Sequence, residues 1–251
     1  MRIVRFLISG GRTVEGVALS DGTLRGSDGS SYGSEEVTWL PPAKPTKVVG
    51  LVLNYAEHAG ELGLTTVEDP VLFLKPLNSL IGNFGDIVYP SGAKYMHYEG
   101  ELAVVIGRQA RKVRAENALE FVSGYTIAND VTVRDFITNT FRPPVKAKGF
   151  DTFCPLGPCL VTKDEIPDVS NLEIRTSVNG ELKQQGNTKD LIHSVPRMIE
   201  YITAFMTLES GDVILTGTPK GISPIVAGDR IDIEIDKIGT LSNEVVSEEK
   251  N

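Results

Sequence analysis

Two glutamates separated by one residue, Glu99 and Glu101, precede an apolar run that ends at Gly107. The branched residues from Leu102 to Ile106 are typical of a β-strand, whose side chains alternate between two faces. Both carboxylates are therefore predicted to point to one side, at the start of a face that becomes apolar. At a separation of about 6 Å and an effective dielectric of about 20, two such charges repel by about 3 kcal/mol. A hard divalent cation such as Mg²⁺ or Mn²⁺ relieves this repulsion, because it prefers carboxylate oxygens.

A third carboxylate, Asp130, ends the next predicted strand, which follows a predicted helix near residues 115–122. Strand ends and the loops after them often carry binding sites. If Asp130 meets Glu99 and Glu101, the three charges repel by about 8 kcal/mol in total, which is comparable with the whole stability of a typical domain. A cation is then close to obligatory. The alternative is a solvated strand end with two surface glutamates, which needs no metal.

A histidine and a glutamate form a candidate catalytic pair. His58 and Glu61 lie three residues apart in a predicted short helix that ends at Gly63, and this spacing makes them neighbours on one face. A carboxylate beside an imidazole fixes its tautomer and supports its charged form, which is how a histidine general base is arranged. A surface ion pair is the alternative. Few other histidines compete for the role, because only His97 and His193 remain.

Basic and hydroxyl side chains near the predicted carboxylates are candidates for substrate contact. Lys75 ends a predicted strand, where it reaches either into a site or out to solvent. Arg134 follows Asp130 by four residues, and Lys148 closes a basic loop in an otherwise acidic chain, which suits an anionic substrate. A turn that contains Gly and Pro follows a later predicted strand and offers backbone donors and the hydroxyl of Thr218.

Composition limits the kinds of partner. The 251 residues are 41% hydrophobic and 23% charged, which is ordinary for a globular protein, and no run reaches the ~18 apolar residues of a membrane span. A formal net charge of -8 argues against nucleic acid and anionic membranes and favours a small-molecule partner. Cys154 and Cys159 are too few for a disulfide framework or a cysteine zinc site. No export signal is visible at the N-terminus, so we expect a cytoplasmic location.

The chain divides at a stiff linker, Pro41–Pro45. Residues 1–45 are predicted to form a small N-terminal β domain with too little apolar surface to stand alone, so it packs on the main domain or on a second subunit. Residues 46–251 are predicted to form the main, catalytic domain. This region has neither a dinucleotide fingerprint nor the spacing of a phosphate loop.

Five separated motifs, in this order, resemble those of the fumarylacetoacetate hydrolase family over about residues 46–248. They are Asn54-Tyr55-Ala56-Glu57-His58, Phe73-Leu74-Lys75-Pro76, His97-Tyr98-Glu99-Gly100-Glu101-Leu102, Asn129-Asp130 and Thr216-Gly217-Thr218-Pro219-Lys220-Gly221. The resemblance implies a mainly β fold with a few short helices, a mixed β-sandwich roll, usually as a homodimer. It also implies Mg²⁺ or Mn²⁺ as cofactor and 2-oxo acids or their enols as substrates.

Position by position, the resemblance assigns roles to nine residues. It implies metal ligation by Glu99, Glu101 and Asp130, catalysis by His58, Glu61 and Lys148, and substrate contact by Lys75, Arg134 and Thr218. His58 and Glu61 would lie on a lid helix that orders when substrate binds, and Lys148 would face the reacting carbonyl. Residues 149–158 form the loop in which family members differ, so the substrate stays open.

The predicted function is metal-dependent decarboxylation or isomerisation, through an enolate, of a 2-oxo or 2-hydroxydienoic di- or tricarboxylic acid in aromatic catabolism. One alternative is a sibling enzyme with the same site, an acylpyruvate hydrolase or an oxaloacetate decarboxylase. A second is a catalytically silent family member kept as a binding or structural dimer. A third is an aldolase-like metal lyase on another fold, which would show strands alternating with helices in a barrel.

Overall fold

The computed structural model describes residues 1–63, 68–137 and 143–248, and most elements in them are β-strands. The strands of the first half are β1 (Arg2–Leu7), β2 (Thr13–Ala18), β3 (Leu24–Gly26), β4 (Ser31–Tyr32), β5 (Thr38–Leu40), β6 (Val48–Val52), β7 (Val71–Lys75), β8 (Leu80–Ile81), β9 (Asp86–Tyr89), β10 (Met96–His97) and β11 (Gly100–Ile106). Those of the second half are β12 (Val122–Asn129), β13 (Thr132–Val133), β14 (Cys154–Thr162), β15 (Glu173–Val178), β16 (Glu181–Asn187), β17 (Val213–Leu215), β18 (Pro224–Ile225), β19 (Arg230–Ile235) and β20 (Gly239–Ser247).

Helices are few and short in the described residues. The α-helices are α1 (Ala56–Glu61), α2 (Val145–Lys148) and α3 (Val195–Phe205). Single 3₁₀ segments lie at Leu77–Ser79, Ala115–Phe121, Arg134–Phe136, Lys163–Glu165 and Thr188–Asp190. In the part of the chain that the structure describes, no helix is long and apolar enough to cross a membrane. The same residues lack the regular strand–helix alternation of a barrel, so the mainly β prediction is confirmed and the barrel alternative is excluded.

The largest sheet has twelve strands, and its main path runs β4-β3-β2-β1-β14-β12-β11-β17-β6-β7, with β5 paired to β1 and β8 paired to β14. At its centre, β11 runs antiparallel to β12, with Gly100 opposite Asn129 and Glu101 opposite Ala128. On the other side of β11 lies β17, which is also antiparallel to it. The start of β11 and the end of β12 therefore meet at one end of the sheet.

Strand β11 is buried on both faces, which explains its unbroken apolar run. Leu102 and Val104 belong to the larger core cluster, between the central sheet and the rest of the molecule. Ala103 and Val105 belong to a second cluster on the opposite face, together with Leu215 of β17. A strand held on both faces gives the acidic residues at its head a fixed position.

A second sheet, in the order β16-β15-β19-β20-β9, packs close to the head of β11. Gly100 marks the closest approach: a Cβ at this position would lie 2.5 Å from Thr176 Oγ1 and 3.0 Å from Gln184 Oε1. Only glycine fits between the two glutamates without moving these side chains. A three-stranded sheet, β13-β10-β18, covers the same end of the molecule.

The N-terminal strands extend the central sheet, because β1 pairs antiparallel with β14, with Arg2 opposite Val161 and Ile3 opposite Leu160. The first two strands, predicted near residues 3–8 and 14–19, begin and end one residue earlier than predicted. This region packs on the remainder of the chain. The division into two domains at residue 45 stays a prediction.

Candidate active site

Three carboxylates meet where β11 begins and β12 ends. Glu99 immediately precedes β11, Glu101 is its second residue, and Asp130 immediately follows β12. One oxygen from each carboxylate lies within 4.8 Å of the others. The exposed fractions are 5% for Glu99 and 1% each for Glu101 and Asp130. The antiparallel pairing of the two strands thus brings together residues that are about thirty positions apart.

Three cationic side chains surround two of these carboxylates. Lys148 Nζ donates to Glu99 Oε2 at 2.8 Å and to Asp130 Oδ2 at 2.5 Å. Lys75 Nζ donates to the other oxygen of Asp130 at 2.5 Å, and the guanidinium of Arg134 donates to Glu99. Both lysines are buried. Buried charges need such partners, because taking an ion out of water costs several kcal/mol.

In the part of the chain that the structure describes, Glu101 makes no ion pair with a cationic side chain. Among the described residues its carboxylate accepts one hydrogen bond, from the backbone N–H of Gly217 at 2.7 Å. Burial and the negative charges of Asp130 and Glu99 raise the pKa of Glu101 well above its ordinary value. Burial alone would also raise the pKa of Glu99, but the charges of Lys148 and Arg134 lower it to about 2. Among the described residues, Glu101 is therefore the one carboxylate of the three without a direct ion pair.

This donor set fits a hard divalent cation. Glu99, Glu101 and Asp130 offer carboxylate oxygens only, and such oxygens suit Mg²⁺ and Mn²⁺ rather than a softer metal that prefers thiolate or imidazole. A cation at this position would give Glu101 the direct ion pair that the described residues do not supply. The sequence-predicted ligand set is thus brought together, and its role stays a prediction.

The second predicted pair also forms. His58 Nδ1 lies 3.0 Å from Glu61 Oε2 on α1, and the imidazole is buried. The other oxygen of Glu61 accepts a hydrogen bond from the backbone N–H of Gly221 at 3.1 Å. The same turn donates from the backbone N–H of Gly217 to Glu101, which places the pair near the carboxylates. This arrangement differs from a free surface ion pair, because a second segment of chain holds the glutamate.

The turn of residues 216–221 joins the two halves of the site. Thr218 was predicted to contact substrate, and its hydroxyl donates to the carbonyl oxygen of Gly100 at 2.9 Å. Gln184 Nε2 donates to Thr218 Oγ1 at 2.8 Å and to the carbonyl of Pro219 at 2.7 Å. Gln184 Oε1 in turn accepts from Thr176 Oγ1 at 2.8 Å. A chain of hydrogen bonds therefore links the second sheet to the backbone between the glutamates.

Sequence reasoning missed two residues here. Gln184 gave no signal, because an amide in a hairpin strand is usually exposed. His97 gave a weak one, since it stands two residues before Glu99 and therefore shares its predicted face. Its imidazole is buried, lies 4.6 Å from the ring of Tyr95 between centroids, and has no hydrogen-bond partner at either nitrogen among the described residues.

Comparison with known proteins gives consistent matches. Residues 47–246 match the model of the fumarylacetoacetate (FAA) hydrolase C-terminal domain. The 4-hydroxyphenylacetate degradation bifunctional isomerase/decarboxylase of Escherichia coli is 50% identical over 199 residues, which are 79% of this chain and 46% of that protein. The chain spans about half the length of the curated relatives that carry this name.

Two solved structures superpose over nearly the whole chain. The 5-carboxymethyl-2-hydroxymuconate delta-isomerase of Mycobacterium smegmatis is 43% identical with a TM-score of 0.89, and each chain is covered at 100%. The maleylpyruvate hydrolase of Sphingobium sp. SYK-6, in complex with manganese (II) ion and pyruvate, is 31% identical with a TM-score of 0.84, covering 99% of this chain and 100% of that one.

Proposed function

The chain belongs to the fumarylacetoacetate hydrolase family, and from this premise we propose that it is a metal-dependent decarboxylase and isomerase in aromatic catabolism. Its substrate would be a 2-oxo or 2-hydroxydienoic di- or tricarboxylic acid. The observation that carries the proposal is the buried acidic triad beside the His58–Glu61 pair. The bifunctional isomerase/decarboxylase and the isomerase structure support this choice within the family.

The proposed cofactor is Mg²⁺ or Mn²⁺, held by Glu99, Glu101 and Asp130. When bound, it supplies a Lewis acid that polarises a substrate carbonyl and offsets negative charge as it develops. Manganese in the maleylpyruvate hydrolase structure supports a divalent metal in this family. The choice between the two metals is part of the proposal.

Charge balance at the site favours an acidic substrate. The three carboxylates of the triad face three cations, Lys75, Lys148 and Arg134, so the cluster is close to neutral. A divalent cation would add two positive charges inside a buried centre. A dianionic substrate would restore the balance, and the adjacent cations would hold its carboxylate through charge-assisted hydrogen bonds.

His58 is the proposed proton carrier. Glu61 holds Nδ1 and so leaves Nε2 as the atom that takes or gives a proton. In isomerisation, Nε2 would remove a proton from one carbon of the substrate and return it at another. In decarboxylation, the bond to the departing carboxylate breaks, its electron pair moves into the conjugated 2-oxo system, and a proton then neutralises the resulting enolate. Lys148 would stabilise the enolate charge.

Acylpyruvate hydrolysis is the second candidate, favoured by the similarity to maleylpyruvate hydrolase. It uses the same residues, with His58 activating a water instead of moving a carbon-bound proton. The same alternative includes oxaloacetate decarboxylation as the reaction of a sibling enzyme with this site. A homodimeric state and a cytoplasmic location also belong to the proposal. They rest on the family resemblance and on composition.

The test is the ultraviolet absorbance of 5-oxopent-3-ene-1,2,5-tricarboxylate after addition of purified protein with Mg²⁺, followed by chelator. We expect a rapid loss of absorbance that the chelator abolishes. Absence of that loss in protein shown to contain metal would contradict the proposed substrate. Cleavage of an acylpyruvate under the same conditions would then establish the alternative.

A further inference from the structure

Four side chains spaced two residues apart run from the core toward the surface. Their exposed fractions rise in the order Glu101 1%, Glu99 5%, His97 6% and Tyr95 48%. The first two belong to the proposed metal centre, and Tyr95 lies at the surface. His97 therefore lies along the chain between the proposed metal centre and the protein surface.

Among the described residues, His97 is a buried polar group without a hydrogen-bond partner. Neither ring nitrogen accepts or donates a hydrogen bond within the described part of the chain. A neutral imidazole carries one donor and one acceptor, and leaving such groups buried and unpaired costs about 1–3 kcal/mol. Buried polar groups in native proteins are nearly always paired, so an exception requires an explanation.

Strand pairing places Arg134 close to His97. Strand β10 runs antiparallel to β13, with His97 opposite Thr132 and Met96 opposite Val133. Arg134 directly follows β13 and begins a 3₁₀ segment, and its backbone N–H donates to the carbonyl of Tyr95 at 2.7 Å. Within the described residues its Nε is buried without a hydrogen-bond partner, while its Nη2 donates to Glu99. His97 and Arg134 thus occupy neighbouring positions in two paired segments, and each has a nitrogen that makes no hydrogen bond to the described residues.

We propose that His97 and Arg134 Nε form an outer subsite that receives the second carboxylate of a dicarboxylic 2-oxo acid, the one remote from the metal. This inference rests on the proposed function, because it presumes a 2-oxo acid whose reacting end occupies the triad. The imidazole donates one hydrogen bond to that carboxylate, and the guanidinium Nε–H donates another. His97 is thereby the residue that distinguishes dicarboxylic from monocarboxylic substrates.

The test compares two acids of equal length, 2-oxoheptanedioate and 2-oxoheptanoate, which differ only in the distal carboxylate. Their dissociation constants from the Mn²⁺-loaded protein are measured by calorimetry. His97→Phe keeps an aromatic ring against Tyr95. We expect it to weaken the binding of 2-oxoheptanedioate by tenfold or more, and tenfold is equivalent to about 1.4 kcal/mol. The affinity for 2-oxoheptanoate and for Mn²⁺ should change less than about twofold.

Two variants serve as controls. His97→Gln keeps one donor and one acceptor and should restore part of the preference for the dicarboxylic acid. His193→Phe alters another histidine, one that contacts Asn54 through its backbone only, and should leave both affinities unchanged. Equal losses for the two acids in His97→Phe, or no loss for either, would overturn the inference.

The result also separates this inference from the proposed reaction. A wild-type preference for the dicarboxylic acid that disappears in His97→Phe supports the subsite even if the tricarboxylate is not turned over, in which case the proposed reaction fails alone. Equal wild-type affinity for the two acids refutes the subsite even if turnover is observed. Failure of the wild-type protein to bind either acid would refute both.

Discussion

Two buried carboxylates lie at opposite ends of the β11–β17 strand pair, and their surroundings differ sharply. Asp212 precedes β17 and accepts hydrogen bonds from Thr46 N and Oγ1 (2.8 Å each), Lys47 N (3.0 Å), Lys47 Nζ (2.5 Å) and Glu209 N (2.7 Å). Glu101, at the other end, accepts one such bond among the described residues and faces two other carboxylates. Both side chains are fully buried or nearly so.

The pKa values of the two groups move in opposite directions for this reason. Burial alone would raise the pKa of Asp212, but the hydrogen bonds from Lys47, Glu209 and Thr46 lower it. Burial and like charges raise the pKa of Glu101. Burial of a carboxylate is thus not itself a sign of function. The informative feature is a buried carboxylate that has no direct ion pair and only one hydrogen bond among the described residues.

The largest expected effect is on turnover in Glu101→Gln. The substitution keeps the size and the Gly217 contact but removes the charge that a cation would match. We expect turnover with Mg²⁺ to fall by at least about a thousandfold, because an essential metal ligand is lost. Without metal, the free energy of unfolding in urea should equal or exceed that of the wild type, because a buried carboxylate without a direct ion pair is removed. Retained turnover would mean that Glu101 is a structural carboxylate, like Asp212, and is not an essential metal ligand.

The next effect concerns the proton carrier. His58→Ala should lower turnover by about a hundredfold to ten-thousandfold, the usual contribution of a general acid–base group, while Mn²⁺ affinity stays unchanged. Steady-state kinetics and Mn²⁺ titration measure the two quantities on the same preparation. Full activity in this variant would remove the catalytic role of the His58–Glu61 pair.

A smaller effect is expected from Gln184, which supports the site without touching the carboxylates. Gln184→Leu removes the donors to Thr218 and Pro219 and so loosens the turn whose Gly217 N–H holds Glu101. Outer hydrogen bonds of this kind are worth about tenfold in metal affinity. Mn²⁺ titration should show that loss, with partial rescue in Gln184→Asn. An unchanged affinity in Gln184→Leu would mean that the turn is held by other contacts.

The smallest expected effect is on the pH dependence of the free energy of unfolding at acid pH, in Asp212→Asn. Because the folded-state pKa lies below the ordinary value of about 3.9, the contribution of Asp212 is present above that value. It is lost as pH falls through the folded-state pKa. Unfolding free energies between pH 5.5 and pH 3 should therefore fall less steeply in Asp212→Asn than in the wild type. Parallel curves would show that Asp212 contributes no acid-dependent stability.

Local sequence patterns were sufficient to predict that the carboxylates come together and that His58 and Glu61 form a pair. Glu99 and Glu101 share a face by period two, and His58 and Glu61 by helical spacing, so each pair follows from short-range geometry. Asp130 required only that two successive strands be antiparallel neighbours. The mainly β class followed from the same strand patterns.

The long-range contacts of the site could not be predicted from local sequence patterns. The attachment of Lys75 and Lys148 to Asp130 depends on how β7 and α2 pack on the end of β12. Gln184 reaches the site from a separate sheet, and its partner Thr218 donates to the carbonyl oxygen of Gly100. Tertiary packing also leaves both His97 nitrogens without a hydrogen-bond partner among the described residues. Such features depend on sheet-to-sheet distances that no local pattern encodes.

The most direct test of the central claim is Mn²⁺ binding to three proteins: wild type, Glu101→Gln and Asp212→Asn. Electron paramagnetic resonance of free Mn²⁺ gives the affinity and the stoichiometry without reference to any substrate. The account predicts one Mn²⁺ per chain in the wild type and in Asp212→Asn, and at least a hundredfold weaker binding in Glu101→Gln. Equal Mn²⁺ affinity in Glu101→Gln and the wild type would contradict the assignment of the metal centre.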